Sequence, residues 1–167
     1  MNFIGEGADM AFETRRGTRG ARQPSGRLLA WMNRWMMRRI RSGKGVGAST
    51  LVLNTIGRKS GAERQNPVTY FPGDRGPDSW LIVASAAGAA GNPAWFHNVA
   101  AHPDQVRIEL GDREIPVTAE QLTGADRESA RRSITSSSSP FAQYQKKTDR
   151  ELPVIRLTPR QPGGPPH

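Results

Sequence analysis

The chain has 167 residues, enough for one domain with its own core, and its lack of cysteine excludes disulfides, thiolate metal sites and a cysteine nucleophile. The formal net charge of +9 resides mostly in residues 1–50, which hold ten Lys or Arg and three Asp or Glu. The remaining residues are nearly balanced in charge, so we expect no nucleic-acid partner.

Two N-terminal segments precede the domain. Residues 1–26 are rich in Gly and Arg and lack a signal-peptide core, so the sequence predicts a disordered basic arm on a cytoplasmic protein. Segment 27–41 has apolar side chains at helical spacing: Leu28, Trp31, Met32, Trp35, Met36 and Ile40. This amphipathic helix either covers the open side of the domain or lies on the inner face of an anionic membrane as a peripheral contact, and the two roles are compatible.

From residue 50 the pattern changes to short apolar strands separated by turns. We predict strands at 50–56, 66–71, 79–85, 105–110, 114–120 and 152–157. Two helices are predicted, one at 93–101 with Asn92 as its N-cap and one at about 125–137. Six antiparallel-type strands with few helices favour a small β-barrel with flanking helices, in the mainly β (α+β) class. The domain spans 27–158, and the Pro/Gly-rich residues 159–167 are predicted to be a disordered tail.

The most informative segment is the turn after the first strand, Thr55-Ile56-Gly57-Arg58-Lys59-Ser60-Gly61, with Arg64-Gln65-Asn66-Pro67 just beyond it. Its two glycines let the backbone turn tightly and expose N–H groups, and three cations stand around the turn. Such a loop suits a phosphate or a carboxylate. The same composition also fits a solvated hairpin tip, and it matches neither a Walker A loop nor the dinucleotide fingerprint.

Two further clusters bear on function. In residues 84–98 a strand ends at Ser85, a loop of small residues follows and a helix opens, so a flat ring or a phosphoryl group can approach the backbone. Trp95 in this helix also suits ordinary core packing. Before the last strand, Phe141 and Tyr144 are suited to wall a pocket, and Arg150 is expected to form a structural salt bridge.

Neither a metal site nor a catalytic pair is evident. The three histidines lack the spacing of metal ligands, and His97 has no carboxylate partner that would make it a general base. If the chain is an enzyme, a bound cofactor supplies the reactive group and the protein supplies orientation and electrostatics.

Three ordered motifs, covering about residues 27–158, resemble the deazaflavin-dependent nitroreductase and quinone reductase family of actinobacteria. They read T-x-G-R-K-S-G-x-x-R-x-N-P, then V-A-S-x-x-G-x-x-x-N-P-A-W-F-H-N-V-x-A-H-P, then Y-Q-x-K-T-D-R-E-L-P-V-I-x-L. The resemblance implies a split β-barrel like that of FMN-binding proteins. It also implies hydride transfer from reduced coenzyme F420, an 8-hydroxy-5-deazaflavin with an oligoglutamate tail, to quinone-like, nitroaromatic or other electrophilic acceptors.

The resemblance also implies site residues. The phosphate and oligoglutamate tail would bind Arg58, Lys59, Ser60, Gly61 and Arg64. The cofactor's path would be lined by Asn66, Pro67, Ser85, Ala86, Ala87 and Gly88, with Ala94, Trp95 and Asn98 near its ring and ribityl chain. Ser85 is the candidate for stabilising negative charge in catalysis. The substrate pocket would hold Thr69, Phe141 and Tyr144.

The chain departs from the family pattern at several positions, and other functions also fit its sequence. Ala86 stands where relatives have a cation or amide. Thr69, Ser138 and Phe141 stand where drug-activating members have tyrosines, so activation of nitroimidazole prodrugs is not expected; Ser138 lies outside the residues that the structure describes. The main alternative is a non-catalytic carrier of the same cofactor. A nucleic-acid or membrane-binding module and a flavin mononucleotide enzyme of similar shape are the other two.

Overall fold

The computed structural model describes residues 12, 16–22, 26–43, 49–137 and 139–160. Most of the predicted arm 1–26, and all of the predicted tail 159–167 beyond residue 160, lie outside these described residues.

Six strands form one closed antiparallel barrel in the order β1-β2-β3-β6-β5-β4. The strands are β1 (Thr50–Ile56), β2 (Glu63–Pro72), β3 (Trp80–Val83), β4 (Val106–Leu110), β5 (Arg113–Gln121) and β6 (Val154–Pro159). The helices are α1 (Arg27–Arg41), α2 (Ala94–Ala101), α3 (Gly124–Ser137) and α4 (Ser139–Lys147). The predicted split β-barrel with flanking helices is confirmed.

Alternation along the strands decides which side chains fill the barrel. On β1, Leu51 and Leu53 point into the main core and are fully buried, whereas Val52 points outward and packs beneath α1. The β2 residues opposite them, Val68 and Asn66, share the inward face. Each large aliphatic side chain buried in this way stabilises the fold by roughly 1.5–3 kcal/mol.

Helix α1 lies on the outer face of β1 and is fixed mainly at its C-terminal half. Met37 and Ile40 are buried against Val52. The guanidinium of Arg41 donates two hydrogen bonds, both of 3.0 Å, to the carboxylate of Glu109 on β4. This pairing lowers the pKa of Glu109, and the Arg41 hydrogen bonds are the main cause.

The rest of the apolar face of α1 remains exposed. Leu28, Trp31, Met32 and Trp35 expose 77%, 62%, 42% and 47% of their surface. The predicted apolar face is therefore divided between contact with the barrel and contact with solvent. Within the described residues, no helix has the length and hydropathy needed to cross a bilayer.

Residues 16–22, which belong to the predicted disordered arm, form a strap along the loop after β3 and along residues 148 and 149. Asp149 accepts hydrogen bonds from the backbone N–H groups of Thr18 (3.1 Å) and Arg19 (2.9 Å) and from the Thr18 hydroxyl. These hydrogen bonds, that of the Thr18 hydroxyl first, lower the pKa of Asp149 to about 2. The backbone of Ala21 pairs with the loop after β3.

Helix α4 is an element that the sequence analysis does not predict. It packs against α3 and against a single 3-10 turn, Ala86–Gly88, in the loop after β3. Phe141 on α4 contacts Phe71 of β2 edge-on, with ring centroids 5.2 Å apart. A cavity of about 320 Å³ lies between α3, α4 and the outer face of β3 and β6.

Candidate functional site

The turn between β1 and β2 is a compact hairpin tip that projects cations from the end of the barrel. The Gly57 N–H donates to the Ala62 carbonyl (2.7 Å), and the Gly61 N–H donates to the Gly57 carbonyl (2.8 Å). Gly61 has a φ of 68°, in the left-handed region that favours glycine. The backbone is thus closed on itself, and the side chains of Arg58 and Lys59 are left exposed.

Helix α2 lies against this turn and completes a cleft of about 520 Å³. The Asn98 side-chain carbonyl accepts a hydrogen bond of 3.1 Å from the backbone N–H of Arg58, and this ties the helix to the hairpin. The cleft is lined by Gly57, Arg58, Lys59, Ser60, Arg64, Gln65, Asn66, Ala94, Trp95, His97 and Asn98. Two motifs that are separate in sequence therefore share one cleft.

Most of the predicted tail- and ring-binding residues line this cleft, and three further residues were missed. Gly57, Gln65 and His97 belong to its wall although the sequence analysis assigns them no ligand. His97 sits one residue before Asn98 in the motif, which was the available signal. Trp95 is 8% exposed and packs in the main core, so the predicted core packing is confirmed, whereas its role beside a ligand stays a prediction.

The cleft carries positive charge that the protein itself does not neutralise. Within the described residues, the side chains of Arg58, Lys59 and Arg64 form no ion pair. Three free cations around an exposed turn are a suitable donor set for phosphate or carboxylate groups. The predicted anion site is therefore chemically consistent with the observed geometry.

His97 is the titratable group of the cleft. It is half-buried and lies edge-on to Phe96, with ring centroids 5.7 Å apart. Burial, and secondarily the positive charge of Arg58, lower the pKa of His97 below its ordinary value of 6.5. The imidazole is therefore mainly neutral at pH 7, and an anion bound in the cleft would favour the protonated form.

The loop between β3 and α2 is organised by Arg150, which is 3% exposed. Its Nε donates to the Ala89 carbonyl (3.1 Å), and its Nη2 donates to the Ser85 carbonyl (3.0 Å). Its Nη1 donates to the Ala84 carbonyl (3.1 Å) and to Asn92 Oδ1 (2.5 Å). A single guanidinium group thus satisfies four acceptors of one loop.

Two sequence predictions about this region are wrong. Arg150 forms no salt bridge within the described residues, because its guanidinium is occupied by carbonyl groups and an amide. Asn92 is not the N-cap of α2: the N-cap is Pro93, with no side-chain cap hydrogen bond. The Asn92 side-chain carbonyl points to Arg150 instead, and a charged donor is the stronger competitor for it.

Of the residues predicted to line the cofactor's path, Asn66 lines the cleft, whereas Pro67, Ser85, Ala86 and Gly88 do not. Pro67 is on β2, and Ser85 and Ala86 begin the loop, with Ala86 and Ala87 in its 3-10 turn. Gly88 has a φ of 83°, and a Cβ there would come within 2.9 Å of Tyr144 O and Lys147 Cβ. This close approach requires glycine and holds the turn against α4.

Of the predicted substrate residues, Phe141 and Tyr144 are in contact with each other, and Thr69 lies on the outer face of β2. Thr69 and Phe71 share that face by strand alternation. Phe141 contacts Phe71, and Tyr144 contacts Phe141 edge-on at 5.7 Å between centroids. Phe141 also lines the cavity beneath α3 and α4. None of these residues lines the cationic cleft.

Comparisons with known proteins agree on one family. A family model described as F420H(2)-dependent quinone reductase matches residues 30–159. An F420H(2)-dependent quinone reductase of Mycobacterium tuberculosis is 36% identical over 114 residues, which are 66% of this chain and 74% of that protein.

Solved structures agree with this result. The structure of an F420-H2 dependent reductase (FDR-A) is 34% identical, with a TM-score of 0.57, over 68% of this chain and 99% of that chain. A second structure, described as a domain-swapped dimer, is 31% identical, with a TM-score of 0.59, over 78% of this chain and 96% of that chain.

The neutral state of His97 leads to a prediction about pH. An anion bound in the cleft raises the pKa of His97, so binding is coupled to the uptake of a proton at a pH between the pKa of His97 in the free protein and its pKa in the complex. The affinity for the anion therefore rises as the pH falls through this range. A rise of one unit makes affinity up to about tenfold tighter at a pH well below both values. We expect oxidised coenzyme F420 to bind more tightly near pH 5.5 than at pH 8, measured by fluorescence titration. His97→Gln should lose this pH dependence, and an unchanged dependence in the variant would contradict the assignment.

Proposed function

The chain belongs to the F420H(2)-dependent quinone reductase family, and we propose that it transfers a hydride from reduced coenzyme F420 to a quinone-like or nitroaromatic acceptor. It is an oxidoreductase of that family; the acceptor and the roles of individual residues are the proposal. The observation that supports it best is the convergence of three unpaired cations and the start of α2 on one cleft.

The cationic hairpin binds the acidic tail in this proposal. Arg58, Lys59 and Arg64 pair with phosphate and glutamate carboxylates, and Ser60 and the turn at Gly61 add neutral hydrogen bonds. Because these cations are exposed, their attraction for the tail is screened by salt. The tail thus fixes the cofactor at one end of the barrel.

The ring end of the cofactor lies along α2 and the loop after β3. Asn66, Pro67, Ala94, Trp95 and Asn98 line this path, which continues over Ser85 and the turn Ala86–Gly88. When bound, reduced F420 supplies the hydride. The chain's contribution is to orient the ring, to keep water away and to donate hydrogen bonds to the group that gains negative charge.

Ser85 is the proposed donor for that charge. Its carbonyl is held by Arg150, while its hydroxyl makes no hydrogen bond within the described residues and so remains free for a ligand. The acceptor then lies beside Thr69, Phe141 and Tyr144, and the aromatic faces of Phe141 and Tyr144 suit a flat quinone or nitroaromatic ring.

A non-catalytic carrier of the same cofactor is the alternative function. It shares the binding cleft but does not oxidise the reduced cofactor in the presence of any acceptor. Turnover with a panel of quinones and nitroaromatics, followed through the absorbance of oxidised F420, separates the two functions.

The cleft can be tested by removing its charge. The triple variant Arg58→Ala, Lys59→Ala, Arg64→Ala should bind oxidised F420 up to about a hundredfold more weakly, because each exposed ion pair contributes about 1 kcal/mol or less and three act together. The wild-type affinity should fall as salt rises, and that of the variant should change little. Fluorescence titration at low and high salt measures both.

A matched control variant makes the same change in net charge at positions outside the cleft. Arg113→Ala, Arg132→Ala, Lys146→Ala also removes two arginines and one lysine, and none of these residues lines the cleft. Equal losses in the two triple variants would mean that net charge, rather than this cleft, holds the cofactor. Circular dichroism establishes that both variants remain folded.

Ser85 is tested by the loss of its hydroxyl. Ser85→Ala should slow hydride transfer from reduced F420 about tenfold, since one hydrogen bond to a charged group contributes roughly 1.5–3 kcal/mol. Affinity for the oxidised cofactor should change little because the tail contacts remain. Stopped-flow absorbance measures the transfer step, and an unchanged rate would remove Ser85 from the catalytic role.

We propose that the exposed face of α1 makes a peripheral contact with an anionic membrane. Trp31 and Trp35 stand out from the domain, and Arg34 and Arg38 are exposed on the same helix. Aromatic side chains flanked by cations are typical of helices that lie in the headgroup region. A membrane-bound quinone would then be close to the enzyme.

Vesicle binding tests this contact. The double variant Trp31→Ser, Trp35→Ser should sediment far less with phosphatidylglycerol vesicles than the wild type, while its turnover of a water-soluble quinone stays the same. Vesicles of phosphatidylcholine alone are the control for charge. If the wild type instead ignores vesicles and forms a dimer that the substitutions dissociate, the exposed face contacts a second copy.

A further inference from the structure

Within the described residues two arginines are deeply buried, and they differ in what neutralises them. Arg150 and Arg156 are each 3% exposed. Arg156 pairs with the carboxylates of Asp74 and Glu120, and its Nε lies 2.7 Å from Asp74 Oδ1. Arg150 has no carboxylate partner within the described residues, and its guanidinium group donates only to the loop after β3.

Burying an unpaired guanidinium is costly, so its position has to be explained by what it holds. The four acceptors of Arg150 span the loop from Ala84, at the end of β3, to Asn92, just before α2. Together they fix the ends and the middle of the loop relative to one rigid, planar group. A lysine offers no such fork, because its ammonium is a single point with freely rotating donors.

The loop that Arg150 holds joins two parts of the proposed site. Ser85 lies at its start, and α2, which lines the cationic cleft, begins two residues after Asn92. The distance between the charge-stabilising hydroxyl and the cleft therefore depends on the shape of this loop. Displacements of about 1 Å in such an arrangement can slow a reaction by a hundredfold.

The residues just before Arg150 hold the other side of the same loop. Thr148 donates its hydroxyl to the Arg19 carbonyl (2.6 Å), and the carboxylate of Asp149 holds the strap. The strap in turn donates from Gly17 N–H to the Ala90 carbonyl (2.8 Å). Residues 148–150 thus hold the loop in two ways, directly through Arg150 and indirectly through the strap.

We propose that Arg150 is a positioning residue for hydride transfer: its guanidinium sets the shape of the loop between β3 and α2, and through it the placement of Ser85 relative to the cofactor cleft. Arg150 acts through the loop backbone and through Asn92, not by contact with the reacting atoms. This inference rests on the proposed function for its catalytic consequence, whereas its structural consequence does not.

Arg150→Lys and Arg150→Met test the proposal, with Arg156→Met as the matched control. Both Arg150 variants should lower kcat for F420H2 oxidation by tenfold or more per folded molecule, with less than a threefold change in the dissociation constant of oxidised F420. Arg156→Met should lower Tm and leave kcat per folded molecule unchanged. If Arg156→Met lowers kcat as much as Arg150→Met, or if Arg150→Lys retains the wild-type kcat, the positioning role is wrong.

A second measurement does not depend on turnover. Hydrogen exchange followed by mass spectrometry should show faster exchange over residues 84–92 in the Arg150 variants and not in Arg156→Met. Unchanged exchange there would overturn the proposal even in an active enzyme. If the wild type itself fails to oxidise F420H2, the proposed function fails, while the exchange data still decide whether Arg150 holds the loop.

Asn92→Ala applies where the Arg150 substitutions prevent folding, and rescue by guanidinium applies where Arg150→Ala folds. Asn92→Ala removes the one side-chain acceptor of Arg150 and should lower kcat severalfold in a folded protein. In Arg150→Ala, millimolar guanidinium should restore kcat in a saturable manner that sodium at equal concentration does not. Wild-type kcat in Asn92→Ala, together with no recovery by guanidinium, would contradict the proposal.

Discussion

A buried guanidinium without a counter-charge is the constraint on which the site depends. The barrel supplies a rigid frame, but the segment from Ala84 to Asn92 crosses from β3 to α2 with small side chains that bury little area of their own. Loops of this kind are ordinarily the least stable part of a fold. Here the hydrogen bonds of Arg150 replace the missing side-chain packing, so a region of low intrinsic stability becomes a fixed connection between β3 and α2.

The cations at the two ends of the site differ in exposure and in pairing, and electrostatics explains how this difference separates their roles. At the hairpin, cations remain exposed and unpaired, so they can exchange water for an anionic ligand at small cost. At the loop, the cation is buried and fully occupied by the protein, so it cannot bind a ligand at all. One positive charge shapes the site, and three others are available for binding.

Much of this arrangement could be predicted from the sequence, for reasons that differ between elements. Both ends of β1 match the sequence prediction, and its C-terminal end is marked by the Gly-rich turn that follows the apolar run. The cleft could be inferred because one motif of ligand-binding composition forms the hairpin between β1 and β2, and another leads into α2. Helix α4 was missed because Pro140 and a polar composition hide it; contacts with α3 and with the turn at Gly88 stabilise it. The partners of Arg150 were also missed, since backbone carbonyls leave no mark in a sequence.

The placement of the tryptophans has an optical consequence. Two of the four, Trp31 and Trp35, are open to solvent on α1, whereas Trp80 and Trp95 are 7% and 8% exposed within the barrel. Trp95 also forms part of the cofactor cleft. The emission of the native chain is therefore a sum of two populations, a water-exposed pair at longer wavelengths and a shielded pair at shorter ones, so that events at α1 and events in the cleft alter different parts of one spectrum.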